Sequence, residues 1–106
     1  MNTSDNQIIN KPAVDPLDRM IFEEGLRIME VWFNKELDLI IILLNSKKII
    51  KRPLSDYRLL ANATLSQLRN FKNDGTEIYW PELDEDISLR GFLKYELLKI
   101  DLPLAS

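Results

Sequence analysis

The chain has 106 residues, of which 45% are hydrophobic and 29% are charged, and its formal net charge is -3. This length builds one modest core, and this composition is typical of a globular protein rather than a disordered one. The negative charge gives no general attraction to phosphates, so direct nucleic-acid binding is not expected. The chain contains no cysteine and no histidine. This excludes thiolate nucleophiles, histidine-dependent triads and Cys/His zinc sites, and we predict no cofactor.

Residues 1–25 are predicted to form an N-terminal tail, mobile as far as about residue 16, that can include a short helix from Leu17 to Gly25. Pro12 and Pro16 disfavour both helix and interior strand over the first part of this tail. The first residues do not resemble a secretory signal. The longest apolar run, Leu39–Leu44, is far shorter than a membrane span. We therefore expect a cytoplasmic protein that does not contact the membrane.

Three strands are predicted next, over Leu26–Phe33, Leu37–Leu44 and Lys48–Arg52, with Pro53 ending the third. Short turns between them imply an antiparallel meander. In the central strand both alternating sets of side chains are apolar, so we expect both of its faces to be covered. An uncovered edge strand of this composition would promote aggregation.

Helical patterns follow the meander. One begins at Ser55, and a second begins at Thr64 with a capping box in which Thr64 and Gln67 exchange side-chain to backbone hydrogen bonds. Leu65, Leu68 and Phe71 recur at helical spacing and are expected to face the sheet.

A fourth strand is predicted over residues 76–80, and a last helix begins after a cap provided by Ser88 or Asp86. The expected fold class is therefore α+β: a single small domain with an antiparallel sheet of about four strands, a meander plus a fourth strand, covered by short helices. This domain is predicted over residues 26–98, with a C-terminal tail over residues 99–106.

An acidic segment that follows the fourth strand is the candidate functional surface. Clustered carboxylates beside an aromatic residue can steer and hold a basic partner protein. The predicted partner-binding residues are Trp80, Glu82, Asp84, Glu85 and Asp86.

Other interpretations of the same segment stay open. Its carboxylates can instead complement the start of the last helix and otherwise face water. Trp80 and Tyr79 alternate along a strand, so one of them faces the core, and packing of Trp80 between sheet and helix would remove it from any surface. The spacing of a calcium loop is absent, so we predict no metal site. A carboxylate pair such as Asp84 and Asp86 could divide acid and base roles, but nothing in the sequence supports this, and no catalytic residue is predicted.

The run from Trp80 to Ser88, WPELDEDIS, resembles the tryptophan-proline-x-leucine-acidic-acidic-acidic-isoleucine-serine block near the C-terminus of the bacterial DUF2442 family. The resemblance extends from about Ile28 to Leu93 and includes Leu60–Leu68, which is similar to the start of a helix in that family. One departure is Arg90, where the family has an acidic or small residue.

This resemblance implies a small α+β domain, found fused to a helix-turn-helix or encoded alone beside a DUF4160 partner in a suspected toxin-antitoxin pair. We therefore expect a non-enzymatic, antitoxin-like protein-binding module whose acidic segment docks the neighbouring, DUF4160-like gene product. A homodimer is also compatible with the sequence. The alternatives are a carboxylate-dependent enzyme or metal-binding protein, and an accessory domain in transcriptional regulation.

Overall fold

A computed structural model of the chain describes the backbone of residues 15–101 and the side chains of residues 15–98. The first element, α1 (Pro16–Asp18), continues as a π-helical turn over Arg19–Glu23. Its cap is Asp15, whose side chain accepts a hydrogen bond of 2.9 Å from the Leu17 amide. Proline is tolerated at the first helical position because no intrahelical donor is needed there. Helix therefore begins within the segment predicted to be mobile, and the rest of that prediction, residues 1–14, lies outside the described residues.

This N-terminal helix packs on the domain. Leu17 and Ile21 are buried in the common core. Gly25 ends the segment with a φ of +74°, a left-handed conformation that costs glycine least. The predicted short helix is confirmed, and it packs on the domain instead of extending from it as a tail.

The first sheet is the predicted meander. It consists of β1 (Ile28–Asn34), β2 (Leu39–Leu44) and β3 (Ile49–Pro53), all antiparallel, with β2 in the centre. We call it the N-terminal sheet. The strand boundaries differ from the predicted ones by one to two residues at most ends, which is the usual uncertainty of hydrogen-bonded ends.

The two faces of β2 differ, which corrects one prediction. Ile40, Ile42 and Leu44 are almost completely buried. The alternate residues, Leu39, Ile41 and Leu43, are half-buried and do not belong to the core cluster. Pairing on both sides satisfies the backbone of β2, but no pairing covers its second face. The expectation that both faces are covered is wrong for the described residues.

A helical connection leads away from β3 through a 3-10 turn (Leu54–Asp56), α2 (Arg58–Ala61) and α3 (Leu65–Arg69). The predicted capping box is present: the Gln67 amide donates to Thr64 Oγ1 at 3.1 Å, and the Thr64 amide donates to Gln67 Oε1 at 2.9 Å.

The prediction for the inner face of α3 is right for Leu68, which is fully buried, and wrong for Leu65, which is 42% exposed. A helix of five residues makes little more than one turn, so few of its side chains can point toward the core.

The second, C-terminal sheet contains β4 (Lys72–Asn73), β5 (Glu77–Trp80) and β6 (Glu85–Ser88). It is also antiparallel, and β5 lies between β4 and β6. The described residues thus form two three-stranded sheets instead of one sheet of about four strands. The predicted fourth strand is β5. The strand β6 was missed because acidic residues have low strand propensity, and its residues were assigned to a turn and a helix start.

The last helix, α4 (Leu89–Asp101), begins after Ser88. The Gly91 amide donates to Ser88 Oγ at 3.0 Å, which confirms Ser88 as the cap. Asp86 lies within β6 and caps nothing. Helix continues to residue 101, so the predicted C-terminal tail begins too early, and residues 102–106 lie outside the described part of the chain.

Arg90, in the first turn of α4, joins this helix to the N-terminal helix. Its guanidinium forms ion pairs with Asp15 and, at 3.1 Å, with Asp18. The hydrogen bond from Arg90 lowers the pKa of Asp15 below its ordinary value. The basic residue in the first turn of α4 therefore has a structural partner on α1.

The core lies between the inward faces of both sheets and α4. Its fully buried side chains come from both sheets, the helical connection and α4, and include Trp80, Phe92, Ile42, Ile50 and Leu60. The α+β class and the single small domain are confirmed.

Candidate functional site

The acidic segment forms the tip and one strand of the β5–β6 hairpin. A turn over residues 81–84 connects the strands, and the Leu83 amide donates to the Trp80 carbonyl at 3.2 Å. Asp84 has a φ of +51°, a left-handed conformation that aspartate tolerates better than most residues. The turn therefore presents its carboxylates from a fixed backbone.

Trp80 packs in the core. It is 0% exposed, and its indole Nε1 donates to the Leu68 carbonyl at 2.9 Å. The rings of Phe33 and Phe71 both lie 6.1 Å from the Trp80 ring, measured between centroids. Packing of Trp80 between sheet and helix is confirmed, and the prediction that Trp80 binds a partner is wrong because no part of the side chain reaches the surface.

The four predicted carboxylates do not form one cluster. Glu85 is paired with the buried Trp80 across the hairpin and is half-buried. Its charge acts on Tyr57 of the helical connection. Glu82 is exposed in the turn and accepts a hydrogen bond of 3.3 Å from Asn70 Nδ2. Since all four acids precede α4 and lie in the turn or in β6, they do not occupy the first turn of a helix either.

Asp86 faces outward with two residues that sequence reasoning did not select. Asp86 is paired with Tyr79, and Glu77 lies two pairs further along β5, on the same face as Tyr79. The hydrogen bond with Asp86 and the repulsion by its charge raise the pKa of Glu77 above its ordinary value. Tyr79 is 39% exposed. We call Glu77, Tyr79 and Asp86, with Glu82 and Asp84 in the adjoining turn, the acidic face.

The signal for Glu77 and Tyr79 was present in the sequence. Both alternate with the buried Ile78 and Trp80 along β5. Recognising β6 as a strand would have placed Asp86 beside them, because side chains of paired strands lie on a common face.

The carboxylates of the acidic face form no ion pair with the described residues. The ion pairs found among residues 15–98 join other residues: Arg19–Glu23, Lys48–Glu96, Arg52–Asp56, Arg90–Asp15 and Arg90–Asp18. The nearest cation in register is Lys72, paired with Tyr79 on β4. Because Tyr79 separates it from Asp86, Lys72 lies two strand spacings away, about 10 Å.

The acidic face has no arrangement for a metal ion. Among the described residues, no three acidic side chains are grouped in a way that could hold one. What the face offers chemically is a pair of adjacent carboxylates, an exposed phenol ring and a surface of net negative charge.

A second polar cluster lies where β3 meets the helices. The Arg52 guanidinium lies between the rings of Tyr57 and Tyr95, 4.9 and 4.2 Å from their centroids, and forms an ion pair of 3.1 Å with Asp56. Burial raises the pKa of Tyr57 to about 12. The Tyr57 hydroxyl is buried with no hydrogen-bond partner. This cluster holds the sheet against the helices and does not open onto the acidic face.

A cavity of about 370 Å³ forms a half-open groove between α1, the N-terminal sheet and α4. Its walls include Leu17, Met20, Leu44 and Leu93, and the ion pair between Lys48 and Glu96 lies at its rim. The groove is lined by apolar side chains together with the polar Glu24, Ser46, Lys48 and Glu96.

None of the described helices combines the length and the apolar character needed to cross a membrane. The fold defines a small α+β domain built on two antiparallel sheets. Residues 28–97 match the family described as "Protein of unknown function (DUF2442)", and the chain belongs to this family. The helix α1 lies outside the matched residues.

Among solved structures, the fold is similar to that of an uncharacterized protein from Chromobacterium violaceum determined by solution NMR. The TM-score is 0.60 and the sequence identity is 26%, over 89% of this chain and 85% of the other. No curated protein matches this chain.

Proposed function

We propose that this domain is a non-enzymatic protein-binding module that docks a basic surface of a partner protein on its acidic face. The position of the exposed Glu77, Tyr79 and Asp86 side chains on one face of the β5–β6 hairpin is the observation that carries this proposal. Glu77 and Asp86 are diagonal neighbours across the β5–β6 pair, close enough for their like charges to repel each other. A lysine or arginine of a partner would relieve this repulsion on binding, so the unfavourable contact in the free domain becomes a source of affinity.

Tyr79 supports the same interpretation. It lies in register between Lys72 and Asp86 and exposes 39% of its surface. Tyrosine is enriched among the residues that contribute most to protein interfaces. An exposed aromatic ring surrounded by carboxylates can stack on an arginine side chain while the carboxylates bind its charge. This revises the predicted docking surface, with Tyr79 in place of Trp80 and Glu77 in place of Glu85.

The partner in this proposal is the product of the neighbouring gene, a DUF4160-like protein, with this chain as the antitoxin-like member of a bacterial pair in the cytoplasm. Membership of the DUF2442 family supports this role, because the resemblance implies that members of the family are encoded beside DUF4160 partners in suspected toxin-antitoxin pairs. Nucleic acid and membrane are not partners in this proposal.

An enzymatic role would use the same two carboxylates, because a raised pKa on one of them suits a general acid. The pair is open to solvent on a sheet surface, however, and efficient acid-base sites exclude water. Protein binding needs no such enclosure, which is why we favour it.

The test is a binding titration with the neighbouring gene product, using a double variant, Glu77→Gln with Asp86→Asn. We expect the affinity to fall roughly tenfold and its salt dependence to weaken. We also expect the melting temperature of the free domain to stay constant or rise, since the variant removes a repulsion.

The matched control is Glu36→Gln, a neutralised carboxylate on the exposed β1–β2 turn, which should leave the affinity unchanged. Unaltered affinity in the double variant would contradict the proposal. So would a loss of affinity that parallels a loss of folding.

A further inference from the structure

The outward face of the N-terminal sheet is apolar. Because β1, β2 and β3 are antiparallel and in register, the residues opposite the buried set share this face. We call these residues the apolar face; they are Trp32, Leu39, Ile41, Leu43 and Ile49.

The apolar face lies outside the core. None of its members belongs to the core cluster or packs against it. Trp32 is 46% exposed and Ile49 is 54% exposed. A contiguous apolar surface on a sheet is unusual for a monomer and marks a contact surface.

Two charges border the apolar face on opposite edges. Glu30 lies on β1, in the row that continues through Leu43 to Ile49. Lys51 lies on β3, in the adjacent row that continues through Ile41 to Trp32. Neither Glu30 nor Lys51 takes part in the ion pairs found within residues 15–98. The face thus has a negative edge and a positive edge.

We infer that a second copy of this chain covers the apolar face. The two copies are related by a twofold axis that runs parallel to β2 and lies between their two N-terminal sheets. Rotation about this axis keeps the direction along the strands and exchanges the two edges. The β1 edge of each copy then lies over the β3 edge of the other. Trp32 faces Lys51 of the second copy, and Glu30 lies one row away from the same lysine. The arrangement supplies a cation-π contact and an ion pair twice in each dimer.

The charges also disfavour a second face-to-face arrangement. A twofold axis perpendicular to the strands that passes through the central row, that of Ile41, would place β3 over β3 and bring Lys51 close to its own copy. Like charges brought together at an interface are unfavourable. Of these two axes, only the one parallel to β2 places opposite charges together, and both halves of this pattern are present on one chain. The apolar face of a second copy is therefore complementary in charge to that of the first.

The geometry is that of an aligned sandwich of two sheets. Such sheets pack about 10 Å apart with their strands within about 30° of each other. The central aliphatic residues of both copies would interdigitate at that distance. Since three short strands make a small interface, we expect a reversible dimer with a dissociation constant on the order of 10 μM.

This inference is independent of the proposed function, because the acidic face lies on the other sheet. It is tested on the full chain alone by light scattering after size exclusion and by sedimentation equilibrium, from about 1 to about 300 μM, a range that brackets the expected dissociation constant. We expect the mass to rise toward twice the chain mass of 12.4 kDa. A monomer throughout this range would overturn the inference.

The position of the interface is tested with Ile41→Glu. This side chain points away from the core, so we expect a folded monomer, with an unchanged circular dichroism spectrum. The control is Phe22→Glu, which alters a 76% exposed apolar residue on the N-terminal helix and should leave the dimer intact. A folded Ile41→Glu variant that still dimerises as the wild type does would place the interface elsewhere and overturn the inference.

Tryptophan fluorescence gives a readout that does not depend on mass or on Ile41→Glu being folded. The chain has two tryptophans, and Trp80 is already fully buried. Quenching by acrylamide therefore reports mainly on Trp32, and we expect it to decrease as the wild-type concentration rises. Quenching that stays constant while the mass doubles would overturn the inference.

The axis is tested by charge reversal. Glu30→Lys and Lys51→Glu should each weaken dimerisation roughly five- to tenfold, because each places like charges together twice in a dimer. The double variant restores the ion pair but not the cation-π contact with Trp32, so it should recover only part of the loss and dimerise more tightly than either single variant. A double variant weaker than either single variant would overturn the proposed arrangement.

Discussion

The two sheets of this domain have the same architecture, but the outward surface of one is apolar and that of the other is acidic. Each has three antiparallel strands with the middle strand in the centre, and each contributes fully buried side chains to the shared core. On the outward side, β2 of the N-terminal sheet presents Leu39, Ile41 and Leu43, whereas the C-terminal hairpin presents Glu77 and Asp86 around Tyr79.

This difference shows which positions the fold constrains. Most inward positions in both sheets are apolar because they share one core, and the half-buried Arg52 and Glu85 are exceptions. Outward positions are free to vary as far as folding is concerned. Their separation into an apolar face and an acidic face therefore reflects what each surface contacts. We interpret them as two surfaces for two partners, a second copy and a basic protein.

The largest expected effect compares the two faces of β2. Ile42→Ala should lower the free energy of unfolding by about 3 kcal/mol, because it leaves a cavity in the core. Ile41→Ala should cost less than about 1 kcal/mol in the dilute monomer, where its side chain stays partly in water. Urea unfolding measures both. Equal costs would show that the outward face is covered within the monomer and would remove the contrast between the two sheets.

The next effect concerns the C-terminal sheet, where Trp80 joins β5 to the aromatic side chains of Phe33 and Phe71. Trp80→Phe removes the hydrogen bond to Leu68 and part of the ring volume. It should reduce stability by about 2 kcal/mol. Tyr79→Phe, on the outward side of the same strand, is the control and should change stability by less than about 0.5 kcal/mol. If the two variants were equally stable, the inward anchoring of β5 would be wrong.

A smaller effect is expected at Tyr57, beside the junction of β3 and the helices. Its hydroxyl is buried without a partner, so Tyr57→Phe should be neutral or stabilise the domain by up to about 1 kcal/mol. Burial raises the pKa of Tyr57 to about 12. The folded state therefore favours the neutral phenol, and stability is lost as the pH rises from the ordinary value of about 10 toward 12.

Alkaline unfolding curves check this prediction. The wild type should lose more stability between pH 10 and pH 12 than Tyr57→Phe does, because only the wild type must deprotonate a buried phenol. Parallel curves would show that the hydroxyl is hydrated in solution.

The smallest effect distinguishes the acidic face from the apolar one by its pH dependence. The pKa of Glu77 is raised in the folded state, so the folded state holds this proton more tightly than the unfolded state does. The stability contributed by the protonated group is present below the ordinary pKa of 4.5 and is lost as the pH rises through the raised value. Glu77→Gln removes this dependence and should be the more stable protein at pH 7.

Thermal unfolding of both proteins between pH 4 and pH 7 measures this effect. Asp15 has a lowered pKa and loses its contribution as the pH falls, but it does so in both proteins and cancels in the difference. A difference that does not change with pH would show that the Glu77–Asp86 contact does not persist in solution.

The sequence by itself determined the local structure. The capping box of Thr64 and Gln67, the cap at Ser88 and the β1–β3 meander depend on hydrogen bonds between near neighbours and on short turns, and all are present. The family resemblance likewise depended on residues in order along the chain, and it is confirmed over residues 28–97. Hydrophobic alternation also indicated that either Trp80 or Tyr79 faces the core.

The tertiary structure decided which of two chemically similar sides is buried and which distant residues meet. Alternation identifies two faces but does not say which one a neighbouring element covers. Both faces of β2 are apolar, yet only the one carrying Ile42 enters the core. In the acidic segment, pairing with β5 turns Glu85 toward Trp80 and Asp86 toward Glu77. The physical reason is the same in both cases: side-chain direction follows from strand pairing, and pairing is fixed by contacts between segments that are separated along the chain.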